Sequence, residues 1–387
     1  MGLSELDRRT ADELRAAGSL KWTAFPEAIG AWVAEMDFPL APAVTAALHA
    51  GVDRAVTGYL PPALTADLSA ATAEWQRDRY GWAVPAERIH PIADVLSGLE
   101  AAIRFYSAPG SPVIVPTPAY MPFLQVPTAL GREIVQVPSR IDAGRHTLDL
   151  DAIARAFESG ANLLVLCNPW NPVGRVLTRE ELLAVSEVVE EYGGRVFADE
   201  VHGPLVYPEA RHLPYATVSP AAARHSLTAT AASKAWNLPG LKCAQLILTN
   251  DEDEARWTEV GDRAGHGAST LGVLASTAAY RDGREWLDGV VEYLDGNRAV
   301  LGGLLGEHLP EVGYSMPEGT YIAWLDFRSL GLKESPADFF LREAGVALTD
   351  GLACGEAGAG YARFVFATPR PILEEAVRRL ADAAHRR

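Results

Sequence analysis

The sequence predicts an α/β protein: a large domain built on a mostly parallel sheet, joined to a smaller α+β domain. Three observations carry this reading. From about residue 89, short apolar runs rich in β-branched residues alternate with helical stretches, the pattern of strands linked by crossover helices. Past Gly267 the pattern changes to one long helical stretch, then a strand, a helix, a strand and a helix. The chain has 387 residues, 48% of them hydrophobic and 22% charged, which is enough for two domains around at least one large core. The expected organisation is an N-terminal arm with part of the small domain at 1–41, the large domain at 42–280 and the small C-terminal domain at 281–387.

In chain order, residues 1–20 read as a polar arm or short helix. Residues 29–38 are apolar with two embedded acids, Glu35 and Asp37, which need partners if they are buried. Helices are expected at 42–55 and 63–80, separated by the loop Thr57-Gly58-Tyr59-Leu60-Pro61-Pro62. Strands are expected at 111–116, 132–137, 162–167, 194–198, 226–231 and 244–248, with helices at 149–158 and 179–191 among them. The last part reads as a helix at 284–305, a strand at 319–327, a helix at 336–344, a strand at 361–367 and a helix at 371–384.

Composition removes several function classes. A net charge of -16 opposes sequence-independent attraction to nucleic acid. The three cysteines, Cys167, Cys243 and Cys354, are far apart inside apolar runs, so they read as buried thiols rather than a disulfide or metal framework. The N-terminus is charged where a signal peptide is apolar, and no apolar run reaches membrane-spanning length, so a cytoplasmic protein is expected. A nicotinamide fingerprint is missing, because Gly355, Gly358 and Gly360 have the wrong spacing and context. A Walker loop, a His-Glu-x-x-His helix and a Gly-x-Ser-x-Gly elbow are missing too.

In open α/β sheets, ligand-binding groups collect at the carboxyl ends of the strands. Those ends hold Asn171, Asp199 and Lys234, an amide, a carboxylate and an amine in sequence order. A lysine behind small, apolar residues is partly desolvated, which disfavours the ammonium and frees the amine to form a Schiff base. Pyridoxal phosphate is the aldehyde cofactor that this set suits: a carboxylate such as Asp199 keeps its pyridine nitrogen protonated. Asn171 and His202 are candidates to donate near its phenolate oxygen. The phosphate needs amides at a helix start, for which Val95, Leu96 and the Ser97 hydroxyl stand before a helix-like stretch.

These residues lie in motifs that resemble the fold-type I pyridoxal phosphate enzymes of the class I/II aminotransferase superfamily. The resemblance is strongest to the MalY/PatB branch of cystathionine β-lyase-type carbon-sulfur lyases and covers nearly the whole chain. It rests on Trp32-Val-Ala-Glu-Met-Asp-Phe38, Gly58-Tyr59, Pro118-Ala-Tyr120, Cys167-Asn-Pro-Trp-Asn171-Pro-Val-Gly-Arg175-Val, Asp199-Glu-Val-His202 with Leu205-Val-Tyr207, Ser233-Lys-Ala-Trp-Asn237-Leu-Pro-Gly240-Leu, Gly283-Arg-Glu-Trp286-Leu, and Arg363 before Ala367-Thr-Pro-Arg370.

The resemblance implies that Lys234 holds the cofactor and later moves the substrate Cα proton, while Asp199 pairs with the pyridine nitrogen. Tyr120 would stack on the ring, and Asn171 and His202 would approach the phenolate. Ser233 and the Val95 and Leu96 amides would hold the phosphate, joined by Tyr59 of a second subunit in a homodimer with shared sites. Arg363 would grip the substrate carboxylate beside Asn171, with Trp32 as a pocket wall. Five places depart from the branch: Glu35 where aspartate is usual, Trp236, Pro239, Gly203-Pro204, and Lys242. Aminotransferases place a phosphate-binding arginine at the position of Lys242, eight residues after the Schiff-base lysine. The branch resemblance implies α,β-elimination on cystathionine or another S-substituted cysteine, Lys242 and the altered pocket keep transamination as the alternative, and a catalytically silent regulatory protein is a remote third.

Overall fold

Seven strands form the central sheet of the computed structural model, which describes residues 6–142 and 144–386. They are β1 (Ile89–Ile92), β2 (Val113–Thr117), β3 (Ile134–Pro138), β4 (Leu163–Cys167), β5 (Arg195–Asp199), β6 (Ser226–Thr230) and β7 (Ala244–Leu248). Their spatial order is β1-β7-β6-β5-β4-β2-β3. All neighbours run parallel except β7, which is antiparallel to both β1 and β6.

The central strands read as unbroken apolar runs because both faces of the sheet are covered. In β4, Leu163 and Val165 join one apolar cluster while Leu164 and Leu166 join the other, the two-residue alternation of a strand. Helices close over these faces with stops and starts legible in the chain. The helix Arg179–Glu191 begins with a reciprocal capping box between Thr178 and Glu181, and Leu150–Glu158 begins at an Asp149 cap. All six strands expected in this sheet form, with no end shifted by more than two residues. Strand β1 goes unread in the sequence because Pro91 interrupts it; its edge position, bonded only to β7, tolerates the missing donor. A short hairpin, Arg140–Asp142 with Arg145–Thr147, also goes unread.

A second, antiparallel sheet consists of β8 (Gly313–Tyr314), β9 (Ile322–Asp326), β10 (Thr349–Asp350) and β11 (Tyr361–Val365), in the order β8-β9-β11-β10. The expected strand at 319–327 starts later, at Ile322, because Thr320 takes a left-handed backbone with φ of 68°. The helices Arg284–His308 and Arg370–His385 pack together beside this sheet. The chain's early segment reaches it as well: Ile29–Gly30 pairs in parallel with Val346–Ala347. Residues 6–20 contain the helix Ala11–Ala17, and the first five residues of the expected arm lie outside the described residues. Among the described residues all three cysteines are free, no group of side chains is arranged to hold a metal ion, and no helix is long and apolar enough to cross a membrane.

The helix Thr270–Asp282 crosses the start of β7 at Gly272, where an added Cβ would lie 2.1 Å from the Leu241 carbonyl oxygen. Gly272→Ala must therefore push backbone away from backbone. It is expected to cost about 1–3 kcal/mol, measured as a lower urea midpoint at unchanged denaturant slope.

Candidate active site

Strands β4, β5 and β6 are parallel neighbours, so their carboxyl ends come together, with Cys167 beside Asp199 and Asp199 beside Ala229 in register. The turn after β4 delivers Asn171, β5 ends on Asp199, and the turn after β6 delivers Ser233 and Lys234. All four line one cavity of about 180 Å³, together with Tyr120, His202 and the backbone start of the helix Val95–Ala101.

Lys234 is one of only four lysines in the chain. Of the others, Lys21 is paired with Asp37 and Lys242 with Asp94. The Lys234 Nζ donates to the Ala34 carbonyl at 3.0 Å. Burial, seconded by the positive charge of Arg363, pushes its pKa down to about 8, so far more of the amine is neutral near physiological pH than for an ordinary lysine. Burial acts in the opposite sense on Asp199, raising it to about 7 against the Val201 N–H that donates to its Oδ1 at 3.1 Å. A cation placed against this carboxylate would restore its charge. His202 is held far below its ordinary pKa, chiefly by burial, so its ring is neutral; its Nδ1 is buried without a partner. The Tyr321 ring meets the His202 ring edge-on at 5.8 Å.

The helix Val95–Ala101 starts against the cavity, with Asp94 as its cap. Asp94 Oδ1 accepts from the Ser97 N–H at 2.8 Å and from the Ser97 hydroxyl at 2.9 Å, and Oδ2 accepts from Lys242 Nζ at 2.8 Å. Burial disfavours the Asp94 carboxylate, but the bonds from Lys242 and Ser97 outweigh it and hold its pKa below the ordinary value. The Lys242 side chain is 59% exposed, and its backbone closes the turn after Leu241 in the left-handed region at φ of 48°.

Arg363 enters from β11, 2% exposed. One terminal nitrogen donates to Asn171 Oδ1 at 3.3 Å and the other to the Trp32 carbonyl at 2.9 Å, while Nε is buried without a partner. Burial lowers its pKa from the ordinary guanidinium value. Residues 32–37 thus run across the site as a strap. Trp32 holds Arg363 through its carbonyl, Ala34 accepts from Lys234 and from the Tyr321 hydroxyl at 3.0 Å, and Met36 exchanges two bonds with the Asn237 amide.

Of the residues singled out in the sequence, Val95, Leu96, Tyr120, Asn171, Asp199, His202, Ser233, Lys234 and Lys242 line the cavity, and Arg363 bonds to Asn171 at its edge. Three are placed differently. The Ser97 hydroxyl is turned to Asp94 and does not line the cavity, because the Asp94 cap claims it first. The Trp32 ring lies edge-on to Phe25 and donates to the Lys21 carbonyl, outside the cavity lining, while the Trp32 carbonyl accepts from Arg363. Tyr59 is 96% exposed and lines a separate open concavity. Asp94 and the Ala34 carbonyl go unnoticed in the sequence. Asp94 as a helix cap could have been suspected from its place before the helix start, but neither its pairing with Lys242 nor a backbone carbonyl leaves a sequence signal.

The chain shares 41% identity with the cystathionine β-lyase of Corynebacterium glutamicum, over 96% of this chain and 98% of that protein. It is 32% identical to the cystathionine β-lyase PatB of Bacillus subtilis, over 96% of this chain and 98% of that one. Among solved structures, the PLP-bound C-S lyase of Staphylococcus hominis superposes with a TM-score of 0.90 at 26% identity, covering 99% of each chain. The profile of the family "aminotransferase class I and II" matches residues 33–380, nearly the full length. The protein belongs to the aminotransferase class I and II family.

Proposed function

We propose that this protein is a pyridoxal phosphate-dependent carbon-sulfur β-lyase that cleaves cystathionine or another S-substituted cysteine. The observation that carries it is the meeting of Lys234 and Asp199 in one pocket with Arg363 bonded to Asn171 at its edge, in a chain alike end to end to cystathionine β-lyases.

The residues fit the cofactor. Lys234 offers a low-pKa amine for its aldehyde, and Asp199, whose ionisation burial disfavours, would gain a partner in the pyridine nitrogen. The His202 ring, whose Nδ1 is unpartnered, and the Asn171 amide would supply polar groups toward the phenolate, and the amides that open the helix Val95–Ala101 would suit the phosphate. Lys242 adds a positive charge there and offsets the Asp94 carboxylate. Pyridoxal phosphate, when bound, supplies an electron sink for the substrate Cα.

Arg363 binds the substrate carboxylate, a planar fork for a planar anion, and its partners Asn171 and Trp32 orient it. Lys234 takes the Cα proton, and the Ala34 carbonyl of the strap accepts from its amine. Loss of the sulfur substituent from Cβ then yields a thiol, and water completes the conversion of the three-carbon remainder to pyruvate and ammonia. Tyr120 covers one side of the pocket and Ser233 another. The protein works as a cytoplasmic homodimer in which Tyr59, exposed in one chain, completes the site of the second.

Elimination is favoured over transamination because the named relatives at 41% and 32% identity are cystathionine β-lyases. Cystathionine supplied without any keto acid is expected to give pyruvate, ammonia and homocysteine over many turnovers. One equivalent of product per site, with conversion of the cofactor to its amine form, would establish a transaminase instead. Lys234→Ala is expected to lower turnover at least about 100-fold and to abolish covalent retention of the cofactor after borohydride reduction, read by peptide mass. Arg363→Lys keeps the charge but loses the fork, and is expected to raise KM about 10-fold or more with a smaller change in kcat. The neutral amine is the reactive form, so the rate at which cofactor-free protein takes up pyridoxal phosphate is expected to rise with pH through about 8 and then level off; a rate that is flat between pH 7 and 9 would contradict it.

A further inference from the structure

The strap over the site hangs on a buried ion pair that the chemistry itself does not use. Lys21 is 0% exposed and Asp37 is 3% exposed. Lys21 Nζ spends its three donors on Asp37 Oδ2 at 2.7 Å, the Glu35 carbonyl at 3.2 Å and the Ala367 carbonyl at 3.3 Å. Asp37 Oδ1 accepts from Trp22 Nε1 at 2.8 Å, and the Asp37 N–H donates to the Ala367 carbonyl at 3.0 Å. One ammonium therefore gathers two points of the strap and the end of the segment that follows β11. The Lys21 carbonyl is gripped as well, by the Trp32 indole at 3.2 Å. The approach is so close at Gly30 that a Cβ there would lie 2.3 Å from the Lys21 carbonyl oxygen.

Resting on the functional reading above, we propose that Lys21 and Asp37 are positioning residues for the active site, setting the Trp32 and Ala34 carbonyls and through them Arg363 and Lys234. Two chains of contacts support this. The Trp32 carbonyl holds Arg363 Nη2 at 2.9 Å and accepts from the Thr349 hydroxyl at 2.7 Å, and the same tryptophan is tied by its ring to Lys21. The Ala34 carbonyl, which holds Lys234, adjoins Glu35, whose own carbonyl binds Lys21. An ion pair suits this task better than apolar packing. Its geometry is directional, and either charge left alone in a dry interior is strongly disfavoured, so the pair admits one arrangement of the strap.

The test uses Asp37→Asn, which keeps the acceptor for Trp22 but removes the charge, and Trp22→Phe, which keeps both charges while removing the indole bond and trimming the buried ring, and serves if the first does not fold. On the holoenzyme, Asp37→Asn is expected to raise KM for cystathionine about 10-fold while kcat stays within about 3-fold. On the full chain without cofactor, acetic anhydride labelling against pH, read by peptide mass with Lys333 as the internal reference, reports the titration of Lys234. Arg363, Glu35 and Asp199 are the charges that act on Lys234. A loosened strap admits water to it, so its labelling midpoint is expected to move up by about one pH unit, and by less in Trp22→Phe. A folded variant with KM within twofold of wild type and a superimposable labelling curve would overturn the proposal. The labelling needs neither cofactor nor substrate. A midpoint that moves in a chain that turns over no S-substituted cysteine would support the positioning role and overturn only the lyase reading.

Discussion

Everything at the site depends on taking one amine out of water. Lys234 sits where burial and the neighbouring Arg363 guanidinium both disfavour its ammonium form, against the pull of Glu35 and Asp199. The same dryness holds Asp199 up and His202 down, so one environment sets a partly neutral amine, a readily protonated carboxyl and a neutral imidazole. A solvent-filled pocket with the same residues would return each to its ordinary state and remove the basis of the chemistry.

The parallel sheet is what makes such a pocket affordable to build from distant parts of the chain. Three adjacent strands end side by side, so residues 28 and 35 positions apart deliver their side chains to one place without long ordered loops. The exception, the antiparallel β7, turns the chain back after Lys234 and brings Lys242 to the start of the helix Val95–Ala101. Its salt bridge with Asp94 answers the charge of the acid that caps a helix whose first residues line the cavity. The Asp94 carboxylate is answered locally, which leaves the helix start electrostatically open.

The second sheet contributes a single reaching residue, Arg363, and the strap of residues 32–37 joins it to the lysine. Trp32 and Ala34 face opposite duties on the same short stretch, one carbonyl for the guanidinium and one for the amine. The buried Lys21–Asp37 pair holds that stretch against the segment after β11.

Much of this was legible in the residues alone. The apolar runs are continuous because the central strands are buried on both faces, and that is why six of the seven strands could be read; β1 escaped because Pro91 breaks its pattern. Strand ends carrying Asn171, Asp199 and Lys234 pointed to the cofactor, since only side-chain chemistry was needed to see the match. Burying Glu35 and Asp37 raised a question of partners that the sequence could not answer. The tertiary structure answered it with Lys21, Trp22 and Ala367 for Asp37, and left Glu35 partly exposed. It also decided that Ser97 serves Asp94, that Trp32 acts through its backbone, and that Ala34 holds the lysine. The reason is physical: residue type declares which side chains can do chemistry, whereas carbonyls are the same in every residue and acquire a role only when folding aims them.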